Sequence, residues 1–209
     1  VHGLDHQRSK WGNFASKYIL FGEKCAVKHA DEIIVLSRGV QDYFMNTYGR
    51  ETKYIPNGVN RPVVREANLI EQKFGLKKDS YILYLARLVP LSDYLAKYRV
   101  DGAMDFTYAC GGKDGQVKTD KKLVIAGGSS DTDPFVTELK EMAKGDDRIL
   151  FTGFVRGELL DELYSNAYVY TLPSDLEGMP LSLLEAMSYG NCCLVSDIAE
   201  CTEVVEDKA

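Results

Sequence analysis

The fold is decided by residues 149–196, which read ILFTGFVRGELLDELYSNAYVYTLPSDLEGMPLSLLEAMSYGNCCLVS. Three short apolar runs, at 149–152, 168–172 and 193–196, alternate here with two longer segments of helical spacing, 157–167 and 181–189. Short apolar runs of this kind are typical of strands that are buried on both faces. Their alternation with helices predicts a parallel sheet with helices packed on both sides.

The same alternation is present upstream of this stretch. Apolar runs at 81–86 and 123–126 predict two further strands, and residues 134–144 predict a helix. Because strand–helix–strand crossovers are right-handed, all of these strands would end at the same edge of the sheet. The sequence therefore predicts an α/β fold with a Rossmann-like, doubly wound parallel sheet.

The first 58 residues predict a separate, partial domain. Residues 8–30 predict a helix, and a second helix is expected from the N-cap Ser37 through Tyr48, where Gly49 ends it. Strands are expected at 32–36 and 52–55, and polar residues 59–65 suit a linker. We therefore divide the chain into domains 1–58 and 59–209. Because the chain begins at Val1 and residues 203–209 form no evident closing element, we expect a fragment of a longer protein.

One segment does not follow this pattern. Residues 91–98 have helical spacing, but residues 101–115 are rich in glycine and have no period. We interpret 91–115 as a surface insertion, with a divergent or damaged copy of a regular segment as the alternative.

The composition excludes some classes of function. The net charge is −6 and the 25 Lys and Arg residues are scattered, so the chain lacks the basic stripe of a nucleic-acid-binding protein. The five cysteines form no CxxC pair and predict neither a disulfide framework nor a zinc site. We expect reduced cytoplasmic thiols, with Cys192 and Cys193 as small core residues, and neither a bound metal nor a membrane span.

Unusual residues follow the predicted strands at the edge where ligands bind in open parallel sheets. Arg87 follows the first strand of the second domain, Gly127 the second and Gly153 the third, and the fourth leads into residues 173–180. A single glycine after a strand is weak support, because turns need glycine. Together these strand ends predict a binding crevice.

The most informative segment runs from Ser174 to Met187. Pro180 suits the first turn of a helix, and Gly178 lets the backbone approach a ligand closely. The free N–H groups of 178–182 and the helix dipole would bind a diphosphate. Glu177 and Glu185 would then accept hydrogen bonds from sugar hydroxyls. The segment predicts a site for a phosphorylated sugar or nucleotide, and an ordinary helix start with two solvated carboxylates is the alternative.

The frame EGMPLSLLEAM, with seven residues between Glu177 and Glu185, resembles the Glu-x7-Glu motif of glycosyltransferase family 4. Those are retaining enzymes of the GT-B fold, which has two facing Rossmann-like domains. Weaker similarity at 2–11, 55–59, 85–88 and 151–155 extends the resemblance over most of the chain. It implies the end of the acceptor-side domain followed by the donor-binding domain.

The resemblance also implies roles for individual residues. Arg87 would neutralise the leaving diphosphate, Glu177 would contact the donor sugar, and His2 would reach the sugar from the acceptor-side domain. Glu185 would bind the ribose hydroxyls. The other donor-binding residues are expected at Gly127, Gly153, Phe154, Gly178, Met179, Pro180 and Leu181.

The implied reaction is transfer of a hexosyl group, with retained configuration and without a metal or cofactor, from a nucleotide-diphosphate sugar. A carbohydrate or lipid-linked acceptor in polysaccharide or glycoconjugate synthesis is expected, and peripheral membrane contact through the absent part of the first domain is left open.

One departure from the family pattern bears on activity. Family members usually carry a Lys in a Glu-Lys-Gly run after Pro, whereas Leu91-Ser92-Asp93 follows Pro90 here. Either Lys97 or Lys113 would have to replace it. Two alternatives therefore remain: a non-catalytic nucleotide-sugar-binding fragment, and a nucleotide-sugar epimerase of the same fold. Against the epimerase, all three His residues lie in the first 29 residues.

Overall fold

The computed structural model describes residues 13–86, 119–128, 133–174 and 177–206. Over these residues the helices are α1 (Asn13–His29), α2 (Arg38–Tyr48), α3 (Leu69–Phe74), α4 (Asp133–Met142), α5 (Glu158–Asn166), α6 (Leu181–Ser188) and α7 (Ala199–Val205). The strands are β1 (Ile34–Val35), β2 (Lys53–Tyr54), β3 (Tyr81–Leu85), β4 (Lys122–Ala126), β5 (Ile149–Gly153), β6 (Val169–Leu172) and β7 (Cys193–Val195).

The chain forms two compact units. The first takes its described residues from Val1–Gly58, Ser174–Leu181 and Asp197–Lys208, and the second from Val59–Pro173 and Ser182–Ser196. The division into domains 1–58 and 59–209 stays a prediction.

The second unit contains a five-stranded sheet in the order β5-β4-β3-β6-β7, and every neighbouring pair is parallel. Tyr81, Leu83, Val124 and Tyr170 are fully buried in it. The predicted doubly wound α/β sheet is therefore confirmed, and the strand bounds lie within one residue of those expected from the apolar runs.

Strand order reverses at β3. The chain first adds β4 and β5 on one side of β3, and then returns to add β6 and β7 on the other. The connections that leave the carboxyl ends of β3 and β6 therefore run in opposite directions. In open parallel sheets such a reversal opens a crevice at the carboxyl edge, where ligands bind.

Gly127, at the carboxyl end of β4, is fixed by the close approach of two backbones. Its N–H donates to the Gly153 carbonyl at 2.9 Å, and its φ is +133°. A Cβ at this position would lie 2.0 Å from the carbonyl oxygen of Ala86. The glycine is thus required by the packing of strand ends, whether or not a ligand approaches it.

The first unit is built around α2. Ser37 Oγ accepts a hydrogen bond from the Val40 N–H at 3.3 Å, and Gly49 adopts the left-handed conformation with φ 61°. Both predicted ends of this helix are confirmed. Phe44 of α2 and Val35 of β1 are fully buried in one core cluster.

The expectation that residues 203–209 lack a closing element is wrong for the described part of that segment. Residues 199–205 form α7, which packs against α2. Both carboxylate oxygens of Glu203 lie 2.9 Å from the Arg38 N–H, near the start of α2, and the Arg38 guanidinium lies 4.0 Å from the centre of the Tyr54 ring. α7 is therefore held by a contact far away in sequence, which no local pattern reveals.

Two other features depart from the sequence predictions. α3 was not expected. The nearly buried carboxylate of Glu162 accepts hydrogen bonds at 3.0 Å from the N–H groups of Asn68 and Ile70 and so satisfies the start of this helix. Cys192 was expected in the core but is exposed, and only its neighbour Cys193 is buried. The segment 91–115 lies outside the described residues.

The backbone contact at Gly127 can be tested with Gly127→Ala. We expect this substitution to lower the free energy of unfolding by about 2 kcal/mol or more, because it adds a clash to the strain of a positive φ. Gly145→Ala is the matched control: Gly145 has φ +96° and nothing within 4 Å of an added Cβ. The control should lower the free energy of unfolding only by the cost of this strained backbone conformation, about 1 kcal/mol. Urea denaturation of both variants measures the difference, and equal losses would contradict the clash.

Candidate functional site

The carboxyl edge of the second unit is where the sequence predicted a ligand. β3 ends at Leu85 and β6 at Leu172, the two strands on either side of the reversal. Arg87, predicted to follow β3 as the group that neutralises a diphosphate, lies outside the described residues, as does His2.

The first turn of α6 is attached to this edge by a buried tyrosine. Tyr170 in β6 donates its hydroxyl to Ser182 Oγ at 2.8 Å, and the same hydroxyl lies 3.4 Å from the carbonyl oxygen of Leu85. The start of α6 therefore lies at the carboxyl ends of β3 and β6. Its first-turn N–H groups have no partner within the helix, so they favour an anion at this place.

Glu185 follows one turn later on α6 and is half-buried. The hydroxyl of Tyr164, on α5, donates to Glu185 Oε2 at 2.9 Å. Tyr164 is 2% exposed and Glu185 is half-buried, so the hydrogen bond is partly shielded from solvent. The carboxylate is thus held in one orientation on the helix that starts at the strand reversal.

Other contacts fasten α6 and the turn after it to α5. Tyr189 donates its hydroxyl to Asp161 Oδ1 at 2.7 Å, and its ring stacks on Tyr164 with the ring centres 5.2 Å apart. Burial, and then this hydrogen bond, raises the pKa of Tyr189 to about 12, which keeps the hydroxyl protonated as a donor. Asp161 Oδ2 in turn accepts from Arg65 Nε at 3.0 Å. The helix that carries Glu185 therefore rests on a connected polar network.

Residues 177–181 belong to the first unit and are described with it. Asn57 donates its side-chain amide to the Met179 carbonyl at 3.0 Å, and its backbone N–H lies 3.1 Å from Met179 Sδ. Gly178 and Pro180 are buried on either side of Met179. These two contacts of Asn57 hold the backbone of this segment in place.

Glu177 is half-buried in the first unit. Its charge acts on the thiol of Cys201 on α7. Burial, and then the negative charges of Glu177 and Glu200, raise the pKa of this thiol to about 12. That thiol stays protonated and behaves as a small core residue.

Gly153 and Phe154 follow β5 at the edge of the sheet. Gly153 has φ +69°, which turns the chain outward, and the side chain of Phe154 is 78% exposed. A Cβ added to Gly128 would lie 3.9 Å from Phe154 Cβ, so the aromatic residue stands beside the end of β4. An exposed ring at the carboxyl edge can stack on a flat, apolar ligand group.

The structure thus places Gly127, Gly153, Phe154 and Glu185 in the second unit, on its carboxyl edge or on the helix that starts there. Sequence reasoning missed Tyr164, Tyr170 and Asn57. The two tyrosines have the spacing and surroundings of core residues, and Asn57 has the signature of a turn, so no local signal marked their hydroxyl and amide contacts.

Among the residues that the structure describes, no group of three or more His, Cys, Asp or Glu side chains could hold a metal ion. None of the described helices is both long and apolar enough to cross a membrane.

Two family models match the sequence. The model described as "Glycosyl transferases group 1" matches residues 95–209. The model described as a domain of unknown function (DUF1972) matches residues 1–60.

Relatives with curated names are similar over much of the chain. A protein of Methanocaldococcus jannaschii named "Uncharacterized glycosyltransferase MJ1607" is 27% identical over an alignment of 205 residues, and the match covers 92% of this chain and 47% of that protein. The Escherichia coli "UDP-Gal:alpha-D-GlcNAc-diphosphoundecaprenol alpha-1,3-galactosyltransferase" is 33% identical over an alignment of 156 residues, and the match covers 69% of this chain and 36% of the relative. The chain spans about half or less of the length of these relatives.

Among solved structures, Anabaena Alr3699/HepE in complex with UDP and glucose is similar with a TM-score of 0.72. The two sequences are 19% identical, and the match covers 91% of this chain and 51% of the other. At this identity the likeness shows the fold, which is the Rossmann-like fold expected from the sequence.

The contact between Asn57 and Met179 can be tested with Asn57→Ala. Losing the hydrogen bond to the Met179 carbonyl should loosen the segment, so we expect amide hydrogen exchange at Gly178 and Met179 to become about tenfold faster. Asn60→Ala removes an exposed amide nearby and should leave those rates unchanged. Unchanged exchange in Asn57→Ala would show that other contacts hold the segment.

Proposed function

The chain belongs to the group 1 glycosyl transferases, and from that premise we propose that it is the part of a glycosyltransferase that binds a nucleotide-diphosphate sugar. The family model covers more than half of the sequence and includes α4, α5, α6 and every strand from β4 onward. The match to this chain covers only 47% and 36% of the length of the two curated relatives.

The placement of Glu185 carries this proposal. It lies on the helix whose first turn is attached to the strand reversal, and its carboxylate is held by Tyr164 at 2.9 Å. A fixed carboxylate accepts two hydrogen bonds from vicinal hydroxyls well, and it repels a phosphate. Glu185 is therefore assigned to the ribose of the nucleotide.

The diphosphate would be bound by the N–H groups of the first turn of α6. They present partial positive charge at the carboxyl edge of β3 and β6. Arg87 follows β3 by two residues in sequence and is proposed to supply the full positive charge. Phe154, exposed after β5, is proposed as the surface on which the base stacks. Gly127 and Gly153, at the carboxyl ends of the neighbouring strands β4 and β5, are proposed to border the same site.

The proposed reaction moves the sugar with retained configuration. The bond between the anomeric carbon and the diphosphate oxygen breaks, and its electron pair leaves with the nucleoside diphosphate. A hydroxyl oxygen of the acceptor bonds to the same carbon and loses its proton. Since negative charge grows on the departing diphosphate, catalysis would come chiefly from Arg87 and the helix N–H groups that stabilise this charge. Glu177, with the backbone of 178–181, is proposed to contact the sugar, and His2 to approach it.

The acceptor is proposed to be a lipid-linked carbohydrate. The name of the Escherichia coli relative states a diphosphoundecaprenol-linked acceptor, which suggests this class for the longer protein. The described cysteines are free, and the exposed thiol of Cys192 fits a reducing, cytoplasmic location.

Binding of a nucleoside diphosphate tests the proposed function directly. We expect the chain to bind UDP, GDP or ADP in a calorimetric titration, with one base preferred. Glu185→Ala should weaken that binding about tenfold or more, because it removes a hydrogen-bonding carboxylate. The control is Glu141→Ala, which removes an exposed glutamate on α4. If none of the three nucleotides binds the folded chain, the donor-site proposal is wrong.

The proposal that the site needs no metal makes a separate prediction. Nucleotide binding should change less than about twofold between excess EDTA and excess MgCl₂, because charge neutralisation is assigned to Arg87 and helix N–H groups rather than to a cation. Calorimetry in the two buffers measures this. Binding that requires Mg²⁺ would contradict the assignment, while leaving the location of the site intact.

A further inference from the structure

Tyr164 is a buried tyrosine whose hydroxyl meets the candidate binding carboxylate. It lies on α5 and is 2% exposed, and its hydroxyl oxygen is 2.9 Å from Glu185 Oε2 and 3.2 Å from the Ser182 carbonyl. A hydroxyl donates a single proton, and the shorter contact to the charged acceptor is the stronger one. Tyr164 therefore donates to Glu185, and Ser182 lies within reach on the same helix.

The hydroxyl remains a donor under all ordinary conditions. Burial, and then the neighbouring Tyr170 and Glu185, raises the pKa of Tyr164 well above its usual value. Since the proton stays on the tyrosine, the hydrogen bond to the carboxylate is present wherever Glu185 is ionised.

The ring of Tyr164 is held on several sides. It stacks against Tyr189 with an interplanar angle of 20° and lies 6.2 Å, between ring centres, from Tyr170. The backbone carbonyl of Tyr164 accepts a hydrogen bond from the Asn191 side chain at 2.9 Å, and Asn191 also bonds to the Ala186 carbonyl on α6. These contacts therefore fix the position of the Tyr164 hydroxyl relative to α6.

A carboxylate on a helix surface ordinarily samples several rotamers, and fixing it for a ligand has an entropic cost. Holding Oε2 in advance removes part of that cost and leaves Oε1 in a defined direction with its acceptor capacity for ligand hydroxyls. The benefit would be seen only with ligands that hydrogen-bond to Glu185.

We propose that Tyr164 is a positioning residue, which fixes the Glu185 carboxylate so that it recognises the 2′,3′-diol of the nucleotide ribose. This inference rests on the proposed function and adds to it a residue and a chemical selectivity. Tyr164 does not contact the ligand in this proposal, because its hydroxyl donates its proton to Glu185. Its contribution is to make the site prefer a ribose with both hydroxyls over one without them.

The test is a calorimetric titration of the full chain with two probes, UDP and 2′,3′-dideoxy-UDP. Tyr164→Phe keeps the ring and removes only the hydroxyl. We expect it to weaken UDP binding about tenfold, the loss expected for one hydrogen bond to a charged group, and to leave dideoxy-UDP binding unchanged. In a Glu185→Ala background the same substitution should change neither affinity.

Tyr81→Phe is the matched control. Tyr81 is fully buried in β3, and its hydroxyl donates to the Leu163 carbonyl of the same helix, α5, at 2.7 Å. Tyr81→Phe removes a buried tyrosine hydroxyl that donates to α5, and it does not touch Glu185. The melting temperatures of the two variants should therefore fall by similar amounts, while UDP affinity should fall only in Tyr164→Phe.

The outcomes separate the two proposals. If UDP binds and Tyr164→Phe weakens UDP and dideoxy-UDP equally, or weakens neither, the positioning role is overturned and the donor site stands. If the unaltered chain binds none of UDP, GDP and ADP, the proposed function fails and the role of Tyr164 fails with it. If Tyr164→Phe weakens the binding of UDP but not of dideoxy-UDP, and if this effect disappears in the Glu185→Ala background, both proposals are supported.

Discussion

The reversal of strand order at β3 is the constraint on which the rest of the candidate site depends. The strand that follows β3 in the chain lies on one side of it, and β6 and β7 lie on the other, and ligands bind at the carboxyl edge of open parallel sheets where the order reverses in this way. Tyr170 ties the first turn of α6 to this place through Ser182. The first turn of α6, whose N–H groups have no partner within the helix, therefore lies at the edge of the sheet where the strand order reverses.

The packing of α6 against α5 then determines how the Glu185 carboxylate is oriented in the candidate site. Glu185 is useful to a ligand only if its carboxylate has a fixed direction, and the contacts of Tyr164, Tyr189 and Asn191 supply it. These contacts also serve stability, since they satisfy polar groups that would otherwise be buried without partners. The same side chains therefore have a structural role and the proposed binding role, and ligands that differ in their ribose hydroxyls distinguish the two.

The sequence predicted the parts of the fold that have local causes. Apolar runs identified the strands of the second unit, and Ser37 and Gly49 set the ends of α2, because capping is decided by neighbouring residues. It failed where contacts are distant: α3 depends on the Glu162 carboxylate and α7 on Arg38. In the candidate site the sequence could identify Glu185 by its frame, but not Tyr164, since a tyrosine in an apolar helix face is ordinarily a core residue. The error at Cys192 is of the opposite kind, because the apolar run begins one residue before β7, and the buried part starts only at Cys193.

A crystal structure of the chain with UDP bound would test the central claim most directly. We expect the ribose hydroxyl oxygens within hydrogen-bond distance of the Glu185 carboxylate, about 2.6–3.2 Å, and the diphosphate facing the first-turn N–H groups of α6. Tyr164 should keep its bond to Oε2 in that complex. UDP bound elsewhere, or with its phosphates rather than its ribose toward Glu185, would contradict the assignment of α6 as the nucleotide-binding helix.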